Sequence, residues 1–159
     1  MESELGAIIA VAGTLLGSSI TYLFQRRSSD RAEAFAFRQQ LRAERMTVYS
    51  DFAGAISDFR RGQQDRWHRA NEHRDSSAAF DSRLEAYRLR SASLHALFRV
   101  QLVAADQILI EAARHAYELT SSINQAASET ELGTLAVKAR DQLQNFVENA
   151  SRDVQLNRR

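Results

Sequence analysis

The sequence predicts an all-α protein in which one N-terminal transmembrane helix is followed by an antiparallel bundle of about three long, coiled-coil-like helices. Residues 5–24 carry no charged side chain and are mostly apolar. The rest of the chain has no proline and only three of the six glycines, the two residue types that most disfavour a helix interior. Its apolar residues recur every three or four positions, which is the repeat of one helix face.

The apolar run at residues 5–24 has the length of a membrane span. A helix rises 1.5 Å per residue, so the run would extend over about 30 Å, the thickness of a bilayer's hydrocarbon core. A buried core helix and a secretory signal peptide are the alternatives. A soluble helix seldom avoids every charge over this length, and a signal peptide begins with basic residues, whereas Glu2 and Glu4 precede this run. We therefore predict a transmembrane helix after a short extracytoplasmic segment at 1–4.

Positive charge is found on only one side of the predicted span. No Lys or Arg precedes it, whereas Arg26, Arg27 and Arg31 follow it closely. Cytoplasmic flanks of membrane helices carry an excess of Lys and Arg, so we expect a single-pass protein of the cell membrane with its amino terminus outside. Residues 25–159 would then form a cytoplasmic domain. The same arginines are candidates for contact with anionic lipid headgroups.

Small residues lie along one face of the predicted span. Gly6, Ala10, Gly13 and Gly17 are separated by four, three and four positions, and small residues in this pattern let two membrane helices approach closely. We expect homo-oligomers formed through this face, through the bundle, or through both. Serine and threonine hydroxyls beside the glycines allow an alternative, in which the same face of an oligomer lines a pore.

The first helix after the span is predicted at about 28–69, before a polar connection at 70–77. Trp67 lies near its end among charged residues and would either cap the open end of the bundle or contact a partner. The predicted buried positions of this helix follow a seven-residue rhythm: Leu41, Val48, Phe52, Ala55 and Phe59.

A second helix is predicted at about 78–125, with Ser76 or Ser77 as its N-cap. It would be the longest helix of the bundle. Its predicted buried stripe is spaced by threes, fours and their sums, with Leu97, Leu102 and Leu109 alongside, and contains Phe80, Leu84, Tyr87, Leu94, Phe98, Ala105, Ile108, Ala112 and Leu119.

A third helix is predicted at about 129–155. Ser128 and Glu131 form an S-x-x-E capping box at its start, in which each side chain accepts a hydrogen bond from the other residue's backbone amide. Helices joined by short connections lie antiparallel, so the three stripes can share one core, closed either within one chain or between chains. The predicted stripe of this helix is Leu132, Leu135, Ala139, Leu143, Phe146, Ala150 and Val154.

The sequence contains no pattern that predicts catalysis, a metal site or a cofactor site. It has no cysteine nucleophile and none of the phosphate-binding, nucleophile-elbow or zinc-protease motifs. His68, His73 and His115 lack the paired Glu-x-x-His spacing of di-iron bundles, and a net charge of +1 gives no reason to expect nucleic acid as a partner. We therefore expect a protein that is not an enzyme.

These observations predict a single-pass, membrane-anchored helical adaptor or scaffold that associates with itself and presents its cytoplasmic bundle to a protein partner. The alternative from a different class is a small oligomeric membrane effector or channel. In that case the Gly, Ser and Thr face of the span would line the pore.

Overall fold

A computed structural model describes the backbone of residues 2–72 and 76–156 and the side chains of residues 32–72 and 76–155. Throughout the described part the chain is helical and contains no strand, so the all-α class is confirmed. The chain divides into two compact units, Met1–Leu41 and Arg42–Arg159. The second unit is the helical bundle.

The described residues form four α-helices, and the predicted helix at 78–125 is two of them. A single 3-10 turn, Ile123–Gln125, joins the last two α-helices. The four helices are α1 (Glu2–Glu72), α2 (Ser77–Val103), α3 (Gln107–Ser122) and α4 (Glu129–Leu156).

The interruption of the predicted second helix lies at residues 104–106. Ala104 has an extended backbone (φ −76°, ψ 130°), and its amide still donates to the carbonyl oxygen of Val100 at 2.9 Å. Asp106 then accepts a hydrogen bond from the amide of Ile108 at 2.9 Å, which makes it the N-cap of α3. The extended backbone of Ala104 thus ends one helix and Asp106 starts the next without glycine or proline, and the prediction of one continuous helix was wrong.

The described contacts between helices define an up-down-up-down four-helix bundle within the second unit. As the residue number increases along α1, the residues contacted on α2 and α4 have decreasing numbers and those contacted on α3 have increasing numbers. Helix α1 is therefore antiparallel to α2 and α4 and parallel to α3. The pairs are Asp51–Arg99 and Ala55–Ser93 for α2, Phe59–Tyr117 and Gln63–Ser121 for α3, and Phe52–Phe146 and Tyr49–Asp153 for α4.

The core of the bundle is centred on the aromatic residues of α1 and α4. The rings of Phe52 and Phe146 meet edge to face with their centroids 4.7 Å apart, and both side chains are fully buried. The predicted stripes of these two helices are confirmed at the positions that the core buries: Val48, Phe52 and Phe59 on α1, and Leu132, Ala139, Phe146, Ala150 and Val154 on α4.

The helix starts combine expected and unexpected capping contacts. Ser76 accepts a hydrogen bond from the amide of Ala79 and caps α2, as predicted. At α4, Ser128 Oγ accepts from the amide of Glu131 at 3.2 Å, which is one half of the predicted box. The Glu131 carboxylate accepts from the amide of Ala127 at 2.8 Å, one residue before the expected donor.

No helix in the part described with side chains is long and apolar enough to cross a membrane. The predicted span at 5–24 lies outside that part.

Candidate functional site

Helix α2 carries apolar residues on two opposite faces, and the bundle buries the face with the smaller side chains. The inner face packs against α1 and α3. Ser93 is fully buried, and its Oγ lies 2.9 Å from the carbonyl oxygens of both Ala55 and Leu89, so that its hydroxyl can donate to either. The buried residues of α2 are Ala79, Ser82, Ala86, Ser93, Ala96, Leu97 and Val100.

Helix α2 approaches α1 closely at Gly62. A Cβ atom added at Gly62 of α1 would lie 2.5 Å from Cδ1 of Leu89 on α2, closer than side-chain carbons normally approach. Helices that meet through glycine, alanine and serine have axes near the short end of the usual 8–10 Å range. Small side chains on most of the inner face allow this approach, and the two larger buried residues, Leu97 and Val100, lie toward the end of α2.

The large apolar residues of α2 lie on its solvent side. We call this set the outer stripe: Phe80, Leu84, Tyr87, Phe98 and Leu102, with exposed fractions of 58%, 52%, 51%, 51% and 84%. Four of the five belong to the stripe that the sequence predicts as core, and that assignment to the core was wrong. Both faces of α2 repeat with helical spacing, and the close contact with α1 selects the smaller one.

The same error extends into α3, where Ile108 was predicted to be buried. Ile108 is 66% exposed, whereas the neighbouring Leu109 is fully buried. Because a new helix starts at Gln107, the pattern of α2 does not continue into α3. Ala112, the next residue of the predicted stripe, is buried as expected.

The outer stripe is long and narrow. Between Phe80 and Leu102 a helix extends over about 33 Å, and the large residues follow one another at heptad-like intervals through the half-buried Leu94. A fully exposed aromatic side chain presents roughly 150–250 Å², so the stripe offers several hundred Å² of apolar surface. Exposed patches of this size are often binding sites.

The two edges of the outer stripe differ in charge. Arg83 and Arg90 lie along one edge, and the guanidinium of Arg66 on α1 lies 5.4 Å from the centre of the Tyr87 ring. Across the described residues, none of these three arginines forms an ion pair with a carboxylate. Arg90 Nε instead donates to the Tyr117 hydroxyl at 3.3 Å, and this contact raises the pKa of Arg90.

Acidic residues lie along the opposite edge of the outer stripe. Asp81 and Glu85 are both exposed there. Glu85 is paired with Arg88 at 2.6 Å, and the hydrogen bond from Arg88 holds the pKa of Glu85 below its usual value. The stripe therefore has one edge whose arginines have no carboxylate partner among the described residues and one edge of mixed charge, where Arg88 and Arg99 are ion-paired.

A buried polar group joins three helices at the end of the bundle where α2 finishes. Asp153 on α4 accepts a hydrogen bond from the Tyr49 hydroxyl at 2.9 Å and lies 3.5 Å from Arg45 Nη1. Arg45 Nε donates to the carbonyl oxygen of Val103 at 3.2 Å. Burial, followed by the hydrogen bond to Asp153, raises the pKa of Tyr49 well above its usual value. This shift moves the phenol further from titration at neutral pH, and the group acts as a tie between α1, α2 and α4.

A shallow groove of about 370 Å³ lies between α1 and α4. Met46, Tyr49, Phe146 and Val147 line it together with Arg42. In the region that the structure describes, no three His, Asp or Glu side chains converge in a way that could hold a metal ion.

Trp67 takes part in the packing of the far end of the bundle. Its indole Nε1 donates to the carbonyl oxygen of Ala126 at 2.8 Å, and its ring packs against the buried cluster of Ile123, Leu132 and Ala139. The contact of Trp67 with a partner stays a prediction.

The other predicted site residues lie outside the residues described with side chains. They are the pairing face Gly6, Ala10, Gly13 and Gly17 and the flanking Arg26, Arg27 and Arg31. Their roles stay predictions.

Comparison with known proteins gives one informative similarity. The family model described as KilB plasmid transfer protein matches residues 46–154. The match covers most of the chain and includes the whole outer stripe and its arginine edge. No curated protein and no solved structure matches the chain.

Proposed function

This chain belongs to the KilB plasmid transfer protein family, and we propose that it serves plasmid transfer as a membrane-anchored, non-enzymatic helical scaffold. In this proposal residues 5–24 hold the chain in the cell membrane, and the bundle lies in the cytoplasm. The outer stripe of α2 is the surface that binds another protein of the transfer apparatus.

The observation that carries this proposal is the exposure of the outer stripe. A helix that served only to complete the bundle would place polar side chains on its solvent side. Helix α2 instead presents Phe80, Leu84, Tyr87 and Phe98 to water, and aromatic residues are enriched at the centres of protein interfaces.

The use of polar residues inside the bundle also supports a scaffold. Arg45 and Tyr49 of α1 both bind Asp153 of α4, and Gln63 Nε2 donates to Ser121 and Asn124 across the bundle at 3.1 and 3.0 Å. These groups contribute to the cohesion of the bundle.

The membrane anchor and its direction are supported by the sequence. The run at 5–24 has the length of a span, and the arginines that follow it favour a cytoplasmic bundle. The small-residue face that includes Gly13 and Gly17 suits self-association within the membrane, which would present several copies of the outer stripe together.

A plasmid transfer assay tests the binding role. In donor cells that lack the native gene, a copy with Leu84→Ser and Phe98→Ser should lower the transfer frequency by at least about tenfold, since central interface residues each contribute on the order of 2 kcal/mol. The matched control is Val137→Ser with Val147→Ser, two exposed apolar residues of α4, and it should leave transfer unchanged. Immunoblots must show equal protein levels. Unchanged transfer with the α2 variant would refute the docking role of the outer stripe.

The anchor is tested separately by labelling single introduced cysteines, because the chain contains no cysteine of its own. A membrane-impermeant thiol reagent applied to intact cells should label Ser3→Cys and leave Ser151→Cys unlabelled until the cells are opened. The reverse pattern would overturn the orientation, and recovery of the protein outside the membrane fraction would overturn the anchor.

A further inference from the structure

We infer that the partner of the outer stripe is an amphipathic helix that carries carboxylates along one edge of its own apolar face. This inference rests on the proposed function and names the chemistry of the partner. The stripe is one helix wide and about 33 Å long, and its large residues recur with the spacing that a second helix can match by packing side chains into the gaps.

The charge of the partner follows from the arginine edge. Arg83 and Arg90 on α2, with Arg66 beside the Tyr87 ring, form no ion pair with a carboxylate in the described part of the chain. Glutamate or aspartate side chains along one edge of the partner would meet these guanidinium groups. Charge pairs beside a helix seam select the partner and its direction.

A second copy of α2 fits this surface poorly because it brings arginine against arginine. If two copies pair antiparallel, Phe80 meets Phe98 of the other copy, but the Arg90 side chains face each other across the two-fold axis. In a parallel pair, Arg83 of one copy lies opposite Arg88 of the other. Both arrangements place like charges at the edge of the seam, which disfavours self-pairing.

A membrane surface fits poorly for a different reason. An anionic bilayer presents negative charge to both edges of the stripe equally, and Asp81 and Glu85 are exposed along the second edge. Asp81 would be repelled and the Glu85–Arg88 pair offers the bilayer no net charge, whereas a helix can carry acidic residues on one edge only. The asymmetry of the edges therefore favours a protein helix.

Synthetic peptides provide the test. The first probe is an amphipathic helical peptide of three heptads with leucines in its seam and glutamates along one edge, and the second probe carries lysines in place of the glutamates. Fluorescence anisotropy of each labelled peptide is measured against the full chain in phosphatidylcholine nanodiscs. We expect the glutamate peptide to bind at least tenfold more tightly, a ratio that corresponds to about 1.4 kcal/mol.

Charge reversal on the protein then links the preference to the arginine edge. Arg83→Glu with Arg90→Glu should invert the preference for the two peptides, while Arg114→Glu with Arg140→Glu, exposed arginines of α3 and α4, should leave it unchanged. Equal binding of the two peptides, or no binding of either, would overturn the inference.

Two further measurements test whether a second copy of the chain or a lipid surface covers the outer stripe instead. Ser91→Cys places a thiol in the middle of the stripe on an otherwise cysteine-free chain. Disulfide formation between copies without peptide would show that a second copy covers the stripe. A blue shift of an environment-sensitive dye on this thiol in phosphatidylglycerol nanodiscs, absent in phosphatidylcholine, would show that lipid covers it. Either result would overturn the inference, and we expect neither.

These outcomes are separable from failure of the proposed function. If the peptides show no charge preference but Leu84→Ser with Phe98→Ser still blocks transfer, only the partner's chemistry is wrong. If transfer is indifferent to the outer stripe, the proposed docking role fails whatever the peptides show.

Discussion

The neighbouring residues Leu97 and Phe98 test the orientation of α2 by their unequal contributions to stability. Leu97 is 4% exposed and Phe98 is 51% exposed. Leu97→Ala removes three buried carbons, at about 0.8 kcal/mol each, and leaves part of a cavity, so we expect a loss of about 3 kcal/mol in the free energy of unfolding. Phe98→Ala removes a side chain that is only half buried. Its loss of about 1 kcal/mol is partly offset by the higher helix propensity of alanine, about 0.5 kcal/mol.

Urea denaturation followed by circular dichroism measures both variants against the native chain. The midpoint should fall strongly for Leu97→Ala and slightly for Phe98→Ala, with equal slopes. In thermal unfolding the corresponding decreases in Tm are about 10 °C or more and about 2–3 °C. Equal losses, or a larger loss for Phe98→Ala, would show that the outer stripe is packed in the core and would refute the assignment of the two faces.

Three further changes test the geometry of the bundle. Gly54→Ala should raise the free energy of unfolding by up to about 1 kcal/mol, because nothing lies within 4 Å of the added Cβ. Gly62→Ala should raise it by less, because its Cβ would lie 2.5 Å from Leu89 Cδ1. Urea titrations compare the two variants. Asp106→Ala removes the cap of α3 and should lower the free energy of unfolding by about 1 kcal/mol, whereas Asp106→Asn should retain most of it. Because the folded-state pKa of Tyr49 is raised above 10.0, the contribution of Tyr49 to stability is complete below about pH 10 and declines at higher pH. Tyr49→Phe should remove this decline in urea titrations from pH 8 to 11. An identical pH dependence in both proteins would contradict the raised pKa.

The helices α1 and α4 were predictable because each has only one apolar face within the bundle. On α1 the large residues Phe52 and Phe59 follow the spacing of a single stripe, and both are fully buried. On α4 the same holds for Phe146. The serine caps at Ser76 and Ser128 were also readable, since a side-chain acceptor before an apolar run satisfies the first free amides of a helix.

The break between α2 and α3 was not readable from local sequence. Ala104 and Ala105 have high helix propensity, and Asp106 fits the solvent side of a continuous helix as well as it fits a cap. What favours the break is that α3 then folds back and buries Leu109 and Ala112 in the common core, a gain that depends on contacts with other helices and not on residues 104–106 themselves.

The residues of the candidate site were grouped correctly on one helix face, but they were assigned to the core and not to a binding site. The spacing of Phe80, Leu84, Tyr87 and Phe98 identified one face of a helix, and large apolar residues are most often buried. The signal that could have revealed the exposed face is the second apolar pattern of small residues, including Ala86 and Ala96, on the opposite side of the helix. The choice between the two patterns depends on the distance between α1 and α2, which the sequence of α2 does not contain.

The bundle packs through the face of α2 that carries the smaller side chains. The outer stripe is therefore not needed to hold the bundle together. Turning α2 by half a turn would replace small buried residues, such as Ala86 beside Gly62 of α1, with large ones such as Phe80 and Phe98. Overpacking of this kind destabilises a core. The stability of the bundle therefore depends on the small face, and the large face is free to bind. Substitutions in the outer stripe should alter plasmid transfer while the bundle remains folded, which a residue serving both purposes could not do.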